Sequence, residues 1–258
     1  MGSGTHATCS ASGGGVDALI FAAGRGTRLG VLGARLPKAL IDVGGRTMLE
    51  RVAGRLVAAG ADRLIINVSH HSDRIAQFVA THDLGAEVLL SREEPDPLET
   101  GGALLHARPL FRRDAPIVLH NVDVITTADI APMIAAHTSS GAIATLAVHD
   151  RKTARHLLFD DAGLYGRTDT RTGIRAEVRK PVGSTRVVAF AGLHVISPSL
   201  LDRIHERGVF SILHPYLRLA GEGERIAPHR IDDAVWLEIG TPERLDEARA
   251  VVAQGDID

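Results

Sequence analysis

The order of apolar and helical segments predicts an α/β fold with a mixed, mostly parallel central sheet flanked by helices. Three observations carry this. From residue 16 to about residue 150, short apolar runs alternate with longer segments of helical period, the pattern of a parallel sheet covered on both faces. After about residue 150 the pattern changes to a hairpin and a long strand. No linker rich in Pro, Gly or Ser and no internal repeat interrupts the chain, so residues 16–258 are expected to form one domain.

Each element follows from its own signals. Residues 18–22 are a buried strand that breaks into a loop with Gly24, Gly26 and Gly30. Residues 39–43 are a short strand-like run turned by Gly44 and Gly45. Residues 47–59 carry Met48, Leu49, Val52, Leu56 and Val57 at helical spacing, with Gly60 as the stop. Strands are expected at 64–68, 86–90, 117–124 and 142–148, with helices at Ser72–Thr81, 100–110 and 129–137 between them. Residues 157–159 and 164–166 read as a hairpin, and Arg186–Ile196 as a long strand. Helices follow at 198–204, with Ser197 as cap and Pro198 in the first position, and at 211–219. A short strand at 236–239 leads into a last helix, 241–252, capped by Thr241 with Pro242 at its first position.

Composition narrows the function. The chain has 258 residues and a net charge of -2, which gives no case for nucleic acid or an anionic membrane as partner. An anionic ligand must then be met by local cations. Cys9 is the single cysteine, so no internal disulfide forms, which fits a reducing cytoplasm. No apolar run approaches the ~18 residues of a membrane span. Residues 1–15, rich in Gly, Ser, Thr and Ala without an apolar stretch, are expected to be a disordered tail and not a secretory signal. The sequence sets no oligomeric state.

Chemistry concentrates in residues 16–40. Glycines let a backbone take unusual φ and bring its N–H groups against a bulky anion. Arg25, Thr27 and Arg28 add charge and a hydroxyl, and Pro37-Lys38 adds a further cation. The spacing is neither G-x-G-x-x-G, since the third glycine comes one place late, nor a P-loop, since Gly-Lys is absent. Downstream, Asp123 closes the strand Leu119-His120-Asn121-Val122, a placement suited to holding Mg²⁺ with carboxylate oxygen. No zinc spacing occurs among the 13 histidines, and no nucleophile–base pair stands out.

Together, Ala22-Ala23-Gly24-Arg25-Gly26-Thr27-Arg28-Leu29 and Pro37-Lys38-Ala39-Leu40 resemble the A-A-G-x-G-T-R-L…P-K-x-L signature of sugar-1-phosphate nucleotidylyltransferases. The resemblance implies a Rossmann-like nucleotide-diphospho-sugar transferase fold, with a nucleotide-binding half over 16–150 and a sugar-binding half over 151–258. It implies the reaction of a nucleoside triphosphate with a sugar 1-phosphate to give a nucleotide sugar and pyrophosphate. Ala22, Ala23, Gly24, Gly26, Thr27, Arg28 and Lys38 would then hold the triphosphate, with Arg28, Lys38 and Asp123 as the catalytic set. Asn121-Val122-Asp123 matches the family's N-x-D, which implies a nucleotide contact for Asn121 and Mg²⁺ on Asp123. Trp236 to Glu243 resembles W-x-D-x-G-T-P-E, with Glu238 in place of the aspartate as second metal ligand. The longer side chain asks the backbone to adjust, or Asp232 or Asp233 to assist. Residues 91–103 resemble a base-recognition segment, so Glu99, Thr100, Gly101 and Gly102 are expected beside the nucleotide, with Glu93 or Glu94 as further acceptors. Thr100 could equally cap a helix. This segment looks closest to muramic-acid-1-phosphate uridylyltransferases, and mannose- or heptose-1-phosphate guanylyltransferases are similar. Residues 177–181 partly match E-K-P, which implies a sugar-phosphate contact for Lys180, although Arg179 replaces the glutamate. Residues 189–192 resemble F-[SA]-G, with Gly192 beside the sugar. The basic stretch 150–156 reads as a sugar-phosphate site or a solvated loop.

Two other classes remain. A catalytically silent regulatory subunit would have lost Arg28, Lys38 or Asp123, and all three are present. A dinucleotide-dependent oxidoreductase would carry G-x-G-x-x-G and an acid ending the second strand, where Val68-Ser69 stand instead.

Overall fold

A computed structural model describes residues 15–255. The expected tail, Cys9 included, lies outside the described residues apart from Gly15. In chain order the elements are β1 (Val16–Phe21), α1 (Val31–Arg35), β2 (Asp42–Val43), β3 (Arg46–Thr47), α2 (Met48–Ala58), β4 (Ala61–Val68), α3 (Ser72–Thr81), β5 (Glu87–Arg92), α4 (Glu99–His106), β6 (Ile117–Asn121) and β7 (Val124–Thr126). They continue with α5 (Ile130–Ser140), β8 (Ala144–His149), β9 (Arg155–Asp160), β10 (Gly163–Asp169), β11 (Ile174–Glu177), β12 (Arg186–Ile196), α6 (Leu200–Arg203), α7 (Leu213–Gly221), β13 (Ile226–Arg230), β14 (Trp236–Glu238) and α8 (Pro242–Ala253).

Along the order β5-β4-β1-β6-β12-β8-β13, every strand runs the same way except β12, which is antiparallel to both β6 and β8. The first half of β12 pairs instead with β9, and β9-β10-β11 extends the sheet as an antiparallel wing. The parallel strands are apolar at nearly every position because both faces are covered. Ala18, Ile20, Leu64, Ile66 and Val118 pack into one cluster, and Leu19, Ile65 and Leu119 into the other.

α2 shows how local signals set an element. Thr47 and Glu50 form a capping box, with Glu50 N–H donating to Thr47 Oγ1 at 3.2 Å and Thr47 N–H donating to Glu50 Oε2 at 2.7 Å. Such a cap contributes about 1 kcal/mol. Met48, Leu49, Val52 and Leu56 then bury one face completely or nearly so.

Several elements depart from expectation. Residues 117–124 are two strands, because Val122 N–H bonds Phe21 O and Ile239 N–H bonds Asp123 O, which steers the chain off the main sheet into the β7–β14 pair. Asp123 sits at that bend. Residues 38–40 form a 3-10 turn before the two-residue β2. α6 begins at Leu200, and the Ser197 hydroxyl faces His137 and Ala142 O instead of capping a helix. Thr100 caps nothing either, because its Oγ1 accepts from Ile212 N–H at 3.0 Å. β13, for which no strand was expected, contains Pro228, which an edge strand tolerates. Thr241 does cap α8, as expected.

Candidate active site

Two adjoining clefts open at the carboxyl ends of the parallel strands, where open α/β sheets place their ligands. The first, about 290 Å³, lies between the glycine loop, Asn67, and the 93–100 segment. The second, about 550 Å³, lies between the β7–β14 pair and the β9–β11 wing. Asn121 and Asp123 line both.

The glycine loop is held in place by polar groups beneath it. Gly26 and Gly30 have φ of 64° and 58°, on either side of the 3-10 turn Thr27–Leu29. Ala22 N–H donates to Asn67 Oδ1 at 2.6 Å, and Asn67 Nδ2 donates to Glu93 Oε1 at 2.6 Å. Leu98 N–H occupies the other Glu93 oxygen at 2.7 Å. Asn67 and Glu93 are 3% and 1% exposed, so this carboxylate is spent inside the protein. Glu93, one of the two acids expected near the base, lines the first cleft with both oxygens already bracing the loop. Arg25 pairs with Asp96, which joins the glycine loop to the 93–100 segment. An added Cβ at Gly24 would meet no protein atom within 4 Å, so the fold itself does not require glycine there.

Gly101 and Gly102 correct a second expectation. A Cβ on Gly101 would overlap the Phe210 ring and stand 2.9 Å from Phe210 O, and one on Gly102 would stand 2.5 Å from Gly208 O. These glycines admit the 208–210 segment against α4, not a ligand, and neither lines a cleft. Glu99 and Thr100 do line the first cleft. Glu99 has φ of 57°, an uncommon conformation for a non-glycine residue.

Charges meet where the clefts join. Lys38 Nζ lies 2.7 Å from Asp123 Oδ2, with the two side chains 11% and 20% exposed. Glu238 ends β14 in register with Val124, the residue after Asp123, so both acids reach the same cleft. Glu238 Oε1 is 3.2 Å from Arg28 Nη2, and its Oε2 pairs with Arg244. A Cβ at Gly240 would stand 2.7 Å from Glu238 Oε1 and 2.9 Å from Arg28 Nη2. Asp232 is exposed, tied to Arg230 and to Asp150 N–H, and neither it nor Asp233 lines the cleft.

The second cleft is richer in cations than expected. Arg151 lies over the Trp236 ring at 3.9 Å and donates to Phe190 O at 3.3 Å. Burial lowers its pKa, opposed by the nearby Glu238 charge. Its buried Nε has no partner among the described residues. Trp236 is fixed in turn by its Nε1–H bond to Ala191 O at 2.8 Å. Arg151, Arg155 and His156 of the basic stretch after β8 line this cleft together with Arg167, while Asp150 and Lys152 are exposed outside it. Gly192, with φ of 78°, brings β12 against Asn121, since a Cβ would stand 2.7 Å from Asn121 Nδ2.

Lys180 is not in the cleft. The wing presents the Arg155, Asp169 and Ile174 end of its strands to the cleft, while Glu177 pairs with Gly166 toward the other end. Arg179 then pairs with Asp160 at 2.6 Å and fixes the following turn away from the site. Lys180 is exposed and lines neither cleft. Arg167, Thr168 and Asp169 of β10 line the second cleft. Asn67, Gly240 and Gly33, whose Cβ would overlap Gly26 O, were not singled out by sequence. Their demands arise from contacts between segments distant along the chain or folded back on themselves.

Comparison with known proteins shows what the chain as a whole is similar to. The chain is 27% identical over 248 residues to N-acetylmuramate alpha-1-phosphate uridylyltransferase of Caulobacter vibrioides, covering 92% of this chain and 97% of that one. It is 30% identical over 234 residues to mannose-1-phosphate guanyltransferase beta-A of Xenopus laevis, covering 88% of this chain but 62% of the relative's length. HddC from Yersinia pseudotuberculosis, solved in complex with GMP-PN, superposes with a TM-score of 0.72 at 21% identity, over 92% of this chain and 99% of that one. Residues 18–192 match the model of the MobA-like NTP transferase domain, and the chain belongs to that family.

Proposed function

We propose that this protein is a sugar-1-phosphate nucleotidylyltransferase, joining a nucleoside triphosphate to a sugar 1-phosphate with release of pyrophosphate. The Lys38–Asp123 pair at the junction of the two clefts carries this reading. The first cleft takes the nucleotide, with the base beside Glu99 and Thr100 and the triphosphate along Ala22, Ala23, Gly24, Gly26 and Thr27. The second takes the sugar against Trp236 and Gly192. Asn121, on both walls, orders the nucleotide next to the sugar.

The sugar phosphate is the nucleophile. Its second pKa is about 6, so it is ionised at neutral pH and needs no base. Its oxygen forms a bond to the α-phosphorus while the bond to the bridging oxygen breaks and pyrophosphate leaves. The protein's task is positioning and charge neutralisation. Arg28 and Lys38 exchange their carboxylate partners for phosphate oxygens, and Arg151 holds the sugar phosphate. Asp123 and Glu238 offer hard oxygens on adjacent strands, a donor set that fits Mg²⁺ completed by substrate phosphates. The ion would supply positive charge between two anionic substrates.

Arg155 and Arg167 on the outer wall form no ion pair within 4 Å among the described residues. They favour a sugar 1-phosphate that carries a second acidic group. The uridylyltransferase relative, which this chain matches over nearly its whole length, supports UTP with an acidic amino sugar. No helix among the described residues is long and apolar enough to cross a membrane, and the triphosphate substrate is a cytoplasmic metabolite. The test is pyrophosphate release across four nucleoside triphosphates and a panel of sugar 1-phosphates with Mg²⁺. Turnover is expected to be highest with UTP and an acidic sugar. No release with any pair would reject the activity.

A further inference from the structure

We infer that the groove between α2 and the start of α5 is a second anion site, shaped for a phosphoryl group and separate from the two clefts. The groove, about 270 Å³, is lined by Arg46, Arg51, Gly54, Arg55, Asp129 and Ile130. Arg51, Gly54 and Arg55 fall on one face of α2, by helical spacing. Arg46 reaches in from β3, and a Cβ added to Gly54 would stand 3.3 Å from Arg46 Nη2. A glycine inside a helix weakens it relative to alanine. Here its missing side chain seats a guanidinium.

Of the acids nearby, Glu50 is held in a cap and Asp129 acts on Arg55 only from beyond ion-pair distance. Glu50 is bound to Thr47 in the α2 capping box. Asp129 accepts from Ala131 N–H at 3.2 Å as the cap of α5 and is exposed. Neither Arg46 nor Arg55 has a carboxylate within 4 Å among the described residues. Arg55 donates to Ala128 O through Nη2, while its Nε is buried without a partner among those residues. Arg51 forms the back wall, donating to Val43 O through Nε at 2.9 Å. Burial lowers the Arg55 pKa, opposed only by the Asp129 charge beyond ion-pair distance, and a planar fork of donors matches phosphate oxygens. The half-buried Arg55 and the exposed Arg46, converging on a groove of this size, suit one phosphoryl group, either inorganic phosphate or the phosphate of a small ester.

The test is calorimetric titration of the protein at low salt with inorganic phosphate and, separately, with glycerol 3-phosphate. Wild type is expected to bind one of these at the groove as well as in the cleft. Arg46→Gln and Gly54→Leu should each weaken the groove site about tenfold or more, while Lys38→Ala leaves it intact. Tighter binding of the ester than of phosphate would name an ester as the ligand, and the reverse would name inorganic phosphate. Isotherms of Arg46→Gln that superimpose on wild type would overturn the proposal, as would loss of all phosphate binding in Lys38→Ala. Arg46 is exposed, so that variant decides the matter even if Gly54→Leu does not fold. Neither failure touches the proposed transferase activity, which is read by pyrophosphate release.

Discussion

Gly101→Ala separates a packing role from a ligand role. In α4 the substitution gains at most about 1 kcal/mol of helix propensity. Against this, the new Cβ overlaps the Phe210 ring and lies 2.9 Å from Phe210 O, inside ordinary contact distance. Gly101 N–H also donates to that carbonyl at 2.9 Å, so the 208–210 segment cannot withdraw without loosening this bond. Overpacking of this kind costs about 1–3 kcal/mol. The net expectation is a loss of ~1–2 kcal/mol, a drop in Tm of roughly 2–8 °C at this chain size. Thermal unfolding reads the loss, and Phe210→Ala in the same chain should recover part of it, because the ring is one of the two obstacles. Nucleotide affinity of the folded variant, measured by calorimetry, should stay within a factor of about three, since the change is smaller than one hydrogen bond. Wild-type stability together with lost nucleotide binding would refute this and put the base against Gly101.

Lys38→Ala and Arg28→Ala should each lower turnover about ten- to a hundredfold, the cost of one charge-assisted phosphate contact at ~1.5–3 kcal/mol, with folding checked by circular dichroism. Glu238→Asp should raise the Mg²⁺ concentration needed for half-maximal rate, because the carboxylate retreats by ~1.5 Å; an unchanged titration in Glu238→Ala would remove Glu238 from the metal. Arg151→Ala should raise KM for the sugar 1-phosphate at least tenfold, while Lys180→Ala leaves both kinetic constants at wild-type values. Burial holds His120 and His137 at about 4 and His194 at about 3, against an ordinary 6.5. The unfolded chain therefore takes up these protons first, so stability is full above about pH 6.5 and falls as pH drops toward 4, by on the order of 3 kcal/mol for each histidine; denaturant midpoints that stay flat from pH 7 to 5 would contradict it.

Much of this site could be read from the chain because its parts are local. The glycine loop, Lys38, Asp123 and Glu238 each lie within a short motif, and the strand order brings those motifs together. What escaped reading depends on register and on approach between distant segments. Lys180 sits in a fair match to a motif, yet the pairing of Glu177 with Gly166 points that end of β11 away from the cleft. Gly101 and Gly102 stand in a matching segment, but the 208–210 loop occupies the space their side chains lack. Asn67 lies within a strand whose apolar neighbours give no sign of its role. Only the parallel register of β4 with β1 and β5 sets it between Ala22 and Glu93. The break at Val122-Asp123 was hidden because valine and isoleucine continue on both sides of it.

The most direct measurement is a crystal structure with a nucleotide sugar and Mg²⁺ bound. The diphosphate is expected between the two clefts, within contact of Lys38 and Arg28 and joined through Mg²⁺ to Asp123 and Glu238. The base should lie beside Glu99 and Thr100, and the sugar against Trp236 and Arg151. A diphosphate bound away from Lys38 and Asp123, or a sugar held near Lys180, would contradict this assignment.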